Sequence, residues 1–588
     1  MTTGTRADVA ATWQVPRRWF TPRRVVLVAA VAVVAQLTVR AFVLASGNFY
    51  WDDLILIGRG SVYPLFSGDL LLYDHDGHFM PAAFFVAALT TKIAPLHWFL
   101  PALTILVMQA AASLAVLRVL FKILGRTPMV LLPLAFYLFC PLTVPSFAWW
   151  AAALNSLPLQ FGLAWVAGDA IESARTGRRR YAVTGAIVTA ASLLFFEKSV
   201  LVPFFAFGVL LVMFGVRHAW NRAAPLWISC ISIVAVWGIV FAVVGQGRFA
   251  FHGWRTSIEL VHHGLSFGLL PTLLGGPWTW ERWPPSGPWA SPPTVLVLAA
   301  WTALAGVVIV SIRRRRGGAV WVGVLGYVAA SSVVMVLARS GPDTADELAQ
   351  TLRHVADSAV VITVGWALVL RRRTGNYPVW AAAVVLFVVS SVISTVAFVD
   401  KWRDDPAPAF LAQARQSLAD GQGAALLDQP ISSWILTPIA YPNNSIAQIF
   451  AAVPERPQFA ESTPDLRYLD ESGHLVPAVV APVRGIEQGP ESGCGYRVER
   501  RTRIPLDGPL ADWAWTVQLN YFATADGDIR LELDTGDSVP VPVTEGLHTV
   551  YVRLVGSGAA VTVTPETPGM TVCVGAGPVG TVMLADLN

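Results

Sequence analysis

Charge is scarce in this chain: 14% of its 588 residues are Asp, Glu, Lys or Arg, whereas roughly a quarter of an average soluble protein is charged. A wholly soluble protein is thereby excluded, because 54% of the sequence is hydrophobic and most of that excess has to face lipid. Lysine is nearly missing, with Lys92, Lys122, Lys198 and Lys401 the only four among 42 basic residues, a bias typical of GC-rich genomes. Cysteine occurs four times, without a C-x-x-C pair or a Cys/His cluster, so a zinc site of familiar spacing is excluded. A Walker A loop, a dinucleotide fingerprint, a G-x-S-x-G elbow and an H-E-x-x-H helix are all lacking, which leaves ATP-driven transport and zinc-dependent hydrolysis without support. No inverted repeat of broken helices is visible, and this counts against a secondary transporter.

Long apolar runs take the place of charge. The run from Val25 to Ser46 is about 20 residues long, enough at a rise of 1.5 Å per residue to cross about 30 Å of hydrocarbon. It is too long for a cleavable signal peptide, and many spans follow it. Further spans are expected near residues 99–120, 128–146, 149–170, 181–196, 199–216, 225–245, 292–312, 319–338, 356–370 and 377–398, about eleven in all. Residues 79–96 are apolar too, but they contain Pro81, Lys92 and Pro95 and read as a helix lying at the membrane interface.

Arginine and lysine orient the spans, because basic loops are retained in the cytoplasm. With the N-terminus inside, inner segments hold 20 basic residues and the longer outer loops 8. The inner set comprises Arg6, Arg17, Arg18, Arg23, Arg24, Lys122, Arg126, Arg175, Arg178 to Arg180, Arg217, Arg222, Arg313 to Arg316 and Arg371 to Arg373. The expected protein is therefore multi-pass in the plasma membrane, with a cytoplasmic N-terminus and an extracytoplasmic C-terminal domain. These clusters account for the net charge of +4 through orientation and lipid contact, and no nucleic-acid partner is implied.

The expected organisation is a cytoplasmic segment 1–24, a transmembrane domain 25–398 with long outer loops 47–98 and 246–291, a mixed α/β linker region 399–490 and a β-sandwich-like domain 491–588. The second outer loop carries Trp278, Trp280, Trp283 and Trp289, which suit either an interfacial anchor or an aromatic wall for a sugar or lipid chain. Near the C-terminus, WAWTVQLNYFA, DIRLELDT, HTVYVRLVG and AVTVTPE alternate apolar and polar residues between turn residues, as strands do. Such a domain would suit carbohydrate, although Trp513 and Trp515 on one strand face also suit a core. Cys494 and Cys573 both fall in this domain, where an oxidising compartment permits a disulfide.

Three places carry candidate chemistry. After the first span come Asp52 and Asp53, then Tyr73-Asp74-His75-Asp76-Gly77-His78-Phe79-Met80-Pro81. Placed at the end of a span, two carboxylates would sit at the negative end of the helix dipole, so termination alone does not explain them. They suit a general base for a hydroxyl, or ligands to a divalent cation, magnesium or manganese; a solvated loop with incidental charge is the plain alternative. No other cofactor is indicated. The second place is Glu197-Lys198, ionisable residues where the chain turns between two spans, which either line a polar cavity or pair with each other. The third is Arg353-His354 at the mouth of a span, where an arginine fork suits a lipid phosphate or pyrophosphate, or snorkels to headgroups.

The W-D-D at 51–53, the H-F-x-P at 78–81, a second span ending in basic residues and F-E-K-S-x-x-x-P at 196–203 together resemble membrane glycosyltransferases of the GT-C fold. The nearest branches are the protein O-mannosyltransferase-like and actinobacterial-type ones. The resemblance covers residues 25–220 in motif and extends to 398 in topology. It implies transfer of a sugar from a polyprenyl-phosphate donor to an envelope glycan, glycolipid or protein at the extracytoplasmic face, with membrane lipids as surroundings and, by analogy, inversion. Asp52 or Asp53 would be the base, His75 and His78 would lie near donor or acceptor, Glu197 and Lys198 would line the cavity, and Arg353 with His354 would meet the carrier phosphate. Related sequences often place Lys before Glu where this chain has Glu197 before Lys198. The C-terminal domain resembles the added domains of mycobacterial-type arabinosyl- and mannosyltransferases in placement and strand content. The alternative is a non-catalytic carrier or glycan-recognising envelope protein on a degenerate GT-C fold. A carrier should show polar groups on several mid-membrane helices, and few stand out beyond Arg40, Asn155 and Gln160.

Overall fold

The structure, a computed structural model, describes residues 21–245, 251–313, 317–341, 344–371, 377–421, 423 and 425–585. Of the basic residues used for orientation, Arg6, Arg17, Arg18, Arg314 to Arg316, Arg372 and Arg373 of the inner set and Arg248 of the outer loops lie outside these. The chain divides into two compact units, one of residues 1–48, 65–87 and 98–404, the other of 49–64, 88–97 and 405–588.

The first unit is helical. Among the described residues eight stretches are long and apolar enough to cross a membrane: Pro22–Ala45, Phe99–Leu124, Pro128–Ala148, Glu197–Phe214, Val216–Val244, Thr294–Arg313, Gly318–Arg339 and Val379–Asp420. The other three expected spans are helices as well. Arg180–Phe195 and Ser358–Leu370 are apolar but short, and Trp150–Thr176 is long but less apolar because it is the hub of the bundle. The chain is thus a polytopic membrane protein. The hub helix packs against Phe99–Leu124, Arg180–Phe195 and Leu201–Phe214, so its small residues, not its hydropathy, define it. A Cβ at Gly162 would stand 2.5 Å from the Ser192 hydroxyl. Residues 79–96 contain the helix Pro81–Ile93, whose 13 residues are too few for a span.

Polar side chains inside the bundle meet one another, since hydrocarbon offers no water to satisfy them. Ser113 donates to Gln36 at 2.7 Å, Gln109 donates to Ser113 at 3.1 Å, and Tyr137 donates to Gln160 at 3.0 Å. Arg40 donates to Thr143, where the 128–148 segment breaks at Pro141–Thr143. More buried polar groups therefore face the interior than the sequence revealed. The helix Arg180–Phe195 measures the bundle: its 16 residues rise about 24 Å. At its start lies a basic end, where Arg118 and Thr184 both bond Asp169 and Lys122 meets Glu172 at 2.8 Å. Glu197 and Lys198 follow its other end.

The placement of Asp52 and Asp53 corrects the expectation. The first helix stops at Ala45, and the two carboxylates open a new helix, Asp52–Val62, that belongs to the second unit. They occupy its first turn, where the dipole favours negative charge, so the dipole argument reverses sign. Asp53 is fully buried and its Oδ2 accepts the Tyr50 backbone N–H at 3.0 Å.

The rest of the second unit is dominated by one ten-stranded antiparallel sheet. Its spine is the hairpin of Thr502–Ala523 with Gly546–Pro565, in the register Val517↔Val552. The register slips on either side of Gly558, where a side chain would collide with Asp534. All strands from Tyr496 onward contribute to a single core that includes Val517, Ile529, Val541, Val552 and Val572. Its strands are connected by hydrogen bonds into one sheet, and that sheet begins before residue 491, because Ser462–Thr463, Arg467–Leu469 and Leu475–Ile486 join it. The two tryptophans pair in one unbroken register, opposite Gly556 and Leu554, yet their surroundings differ. Trp515 is in the core, whereas Trp513 is 43% exposed and stacks on Tyr441 with ring centroids 5.4 Å apart. In the tryptophan loop of the first unit, Trp280 and Trp289 are buried and Trp283 is exposed.

Cys494 and Cys573 form a disulfide across a separation of 79 residues, and Cys573 lies on the strand paired with Tyr496–Val498. Replacing Cys494 and Cys573 together by Ser should cost the β domain roughly 2–5 kcal/mol. Thermal unfolding of the full chain in detergent, followed by proteolysis of the β domain, measures the loss.

Candidate functional site

The residues His75 to His78 form a two-residue hairpin turn. Asp76 and Gly77 have φ of 54° and 83°, the pair of positive angles that Asp-Gly supplies with little strain, and the His75 and His78 backbones bond each other at 2.9 and 3.0 Å. Asp74 fastens the turn by accepting the Gly77 N–H at 2.7 Å. The turn directs His75 into a buried place against Phe84. It directs His78 towards residues more than a hundred positions away.

His78 Nδ1 lies 2.8 Å from Glu197 Oε1, and Arg339 Nη2 lies 2.6 Å from His78 Nε2. A guanidinium only donates, so Nε2 is the acceptor and Nδ1 carries the proton that goes to Glu197. The imidazole is neutral in this arrangement and fixes one carboxylate oxygen. The other, Glu197 Oε2, is buried and has no hydrogen-bond partner among the described residues. A buried acceptor without a donor costs about 1–3 kcal/mol, which a hydroxyl arriving there would recover. Arg339 also bonds Asp76. Burial opposes ionisation of Asp76, but attraction to Arg339 and its hydrogen bond outweigh that and hold the carboxyl below the usual range.

Lys198 points elsewhere. Its Nζ donates to Asp357 Oδ1 at 2.7 Å and to the His354 carbonyl at 2.8 Å, while Asp357 Oδ2 accepts the Tyr327 hydroxyl. Of the two alternatives for Glu197 and Lys198, pairing with each other is not the one adopted: the 3-10 turn Glu197–Val200 splays the two side chains to different partners. Arg353 lies 4.6 Å over the Trp149 ring, and its Nε donates to His354 Nε2 at 3.2 Å. Leu352 just before it has φ of 62°, a strained angle for a leucine, as found where surrounding structure fixes a functional segment. Burial, then the charges of Arg353, Arg339 and Lys198, push the His354 imidazole well below its usual pKa of 6.5.

The first unit thus brings together His78, Glu197, Lys198 and His354, with Arg353 beside them. Asp52 and Asp53 belong to the second unit, and His75 turns away into its own buried place. No group of three His, Cys, Asp or Glu residues suited to a metal ion occurs among the described residues, and no step below uses a cation. Arg339, Asp357, Asp76 and Tyr327 were missed as partners in the sequence. For Asp357 a signal existed: a lysine at the end of an apolar helix demands a carboxylate, and Asp357 stands at the start of the apolar helix Ser358–Leu370.

No protein-family model and no curated protein matches the chain. Among solved structures it is similar to ArnT from Cupriavidus metallidurans bound to undecaprenyl phosphate, with TM-score 0.45 and 12% identity over 73% of this chain and 89% of that one. It is also similar to the arabinofuranosyltransferase AftD from Mycobacteria, with TM-score 0.35 and 13% identity over 96% of this chain and 62% of that one. The arabinosyltransferase EmbB from Mycobacterium smegmatis matches with TM-score 0.26 and 13% identity over 99% and 66%.

Two outcomes follow from the geometry. Side chains of Lys198 and Asp357 are 4% and 3% exposed, so Asp357→Ala should destabilise the membrane unit by about 3–5 kcal/mol, and Lys198→Met with Asp357→Leu by less than that. Thermal unfolding in nanodiscs compares them. His354 stays neutral when folded but gains a proton when unfolded below about pH 6.5, so its contribution is whole above that pH and lost as pH falls towards the folded value. The unfolding midpoint should drop less between about pH 7 and pH 5 in His354→Gln than in the parent.

Proposed function

We propose that the chain is a membrane glycosyltransferase of the GT-C type that moves a sugar from a polyprenyl-phosphate carrier to a hydroxyl of an envelope glycan, glycolipid or protein. The observation that carries this reading is the Glu197 carboxylate, oriented through one oxygen by His78 and open at the other. It lies at the end of the bundle away from the basic cluster of Arg118, Lys122 and Arg175. By the retention of basic loops, that cluster faces the cytoplasm and the Glu197 end faces outward. Nucleotide sugars are cytoplasmic, so a donor on the outer side has to be lipid-linked.

In this reading Glu197 Oε2 takes the proton of the acceptor hydroxyl as the acceptor oxygen bonds to the anomeric carbon. The bond from that carbon to the phosphate oxygen breaks, and its electron pair leaves with the lipid phosphate. Arg353, a permanent planar cation, receives that phosphate. The resemblance offers Asp52 or Asp53 as the base instead. Asp53 is the weaker of these two, since its Oδ2 already accepts the Tyr50 backbone N–H.

Membranes carrying Glu197→Gln, Asp52→Asn or Asp53→Asn, supplied with labelled polyprenyl-phosphate sugars, separate the alternatives. Glu197→Gln should lose about 10²- to 10⁴-fold of transfer, the usual worth of a general base. Full transfer by Glu197→Gln alongside loss in Asp52→Asn moves the base to the first loop. Failure of the parent chain to transfer from any such donor sinks the reading itself.

A further inference from the structure

The helix Trp254–His263 has a feature that the reaction does not use. Its ten residues rise about 15 Å, too little to cross a bilayer. One strip is packed: Leu260 is buried in a cluster with Met335, Val336 and Ala349. A second strip is polar, with Arg255 and Glu259 paired at 3.0 Å one turn apart. Between these strips a third is apolar and open. Trp254 is 76% and Ile258 63% exposed, and the exposed Phe251 sets its ring edge-on against Trp254.

We propose that this helix lies in the plane of the membrane with Trp254 and Ile258 seated at the boundary between headgroups and acyl chains. Three observations commit the open strip to lipid. It adjoins a span, since Met335 and Val336, which pack on Leu260, belong to Gly318–Arg339, on which Val322 and Val333 are exposed apolar residues, as are Val236, Ile239 and Val243 on Val216–Val244. Its depth is fixed, because Met335 and Val336 belong to the last turns of Gly318–Arg339, where that span reaches the headgroups. Its chemistry fits as well: an indole beside a polar strip is the composition that settles at a bilayer interface. The proposal is independent of the reaction. It also ties a lipid contact to the site, because Val336 stands one turn before Arg339, the residue that holds His78 and Asp76.

The chain suits a test by site-directed spin labelling. Cys140 and Cys230 are buried and Cys494 is bonded to Cys573, so an introduced thiol is the accessible one. Ile258→Cys, Trp254→Cys and Glu259→Cys would each be labelled and placed in nanodiscs of phosphatidylcholine and phosphatidylglycerol. Collision with oxygen, which concentrates in lipid, is compared with collision with a water-soluble nickel chelate. The oxygen-to-nickel ratio should be several-fold higher at 258 and 254 than at 259. Equal ratios at all three positions would mean that the strip faces water and would overturn the proposal. Low collision with both reagents at 258 and 254 would mean that protein covers the strip, and would overturn it equally.

Discussion

The ion pair of Lys198 with Asp357 is the contact on which the site depends. Two charges withdrawn from water at the end of a helical bundle are tolerable only when each faces the other and the remaining hydrogen-bonding positions are filled. The His354 carbonyl and the Tyr327 hydroxyl fill them. The pair consequently fastens the turn after Arg180–Phe195 to the start of Ser358–Leu370 and to the middle of Gly318–Arg339. With Lys198 so committed, Glu197 beside it in sequence has one direction left, towards the His75–His78 turn.

Glu197 then differs from every other carboxylate of the cluster. Asp357 is saturated by a lysine and a tyrosine, and Asp76 is held ionised by Arg339. Glu197 has a neutral imidazole on one oxygen and nothing on the other, the combination of fixed orientation and open valence that a reacting hydroxyl needs. The imidazole is in turn kept in one tautomer by Arg339, so a cation acts on the carboxylate through a ring rather than by direct pairing. A direct arginine would have closed the second oxygen.

Much of this was legible in the sequence, and the reasons differ by element. Spans were readable because hydrocarbon thickness imposes a length, although the hub helix Trp150–Thr176 was recognised as a span for its apolar run rather than for the small residues that make it central. Strands from Tyr496 onward were readable from alternation. Leu475–Ile486 was not, because Pro477 and Pro482 sit in it; the structure admits Pro482 beside a slip in the register with Val579–Gly580. Trp513 and Trp515 have the right parity for one face, but Trp513 lies outside the core and stacks on Tyr441 instead. In the site, His78, Glu197 and Lys198 were visible as residue types, while Arg339 and Asp357 become their partners only through contacts across more than a hundred residues, and Tyr327 joins through Asp357, 30 residues away. The dipole argument for Asp52 and Asp53 failed for a local reason: where one helix ends and the next begins was a matter of a few residues, and those few decide the sign of the dipole.

The disulfide closes a ring of chain that contains both long strands of the spine, from Thr502 to Pro565. A single proteolytic cut at any exposed turn inside that ring, such as Asp534 to Asp537, leaves the two fragments covalently joined as well as hydrogen-bonded along the hairpin. Such a nicked domain would not be released from the rest of the chain. Release would take two events in sequence, scission and reduction, and a compartment that supplies the first without the second would keep the β domain tethered to its membrane anchor.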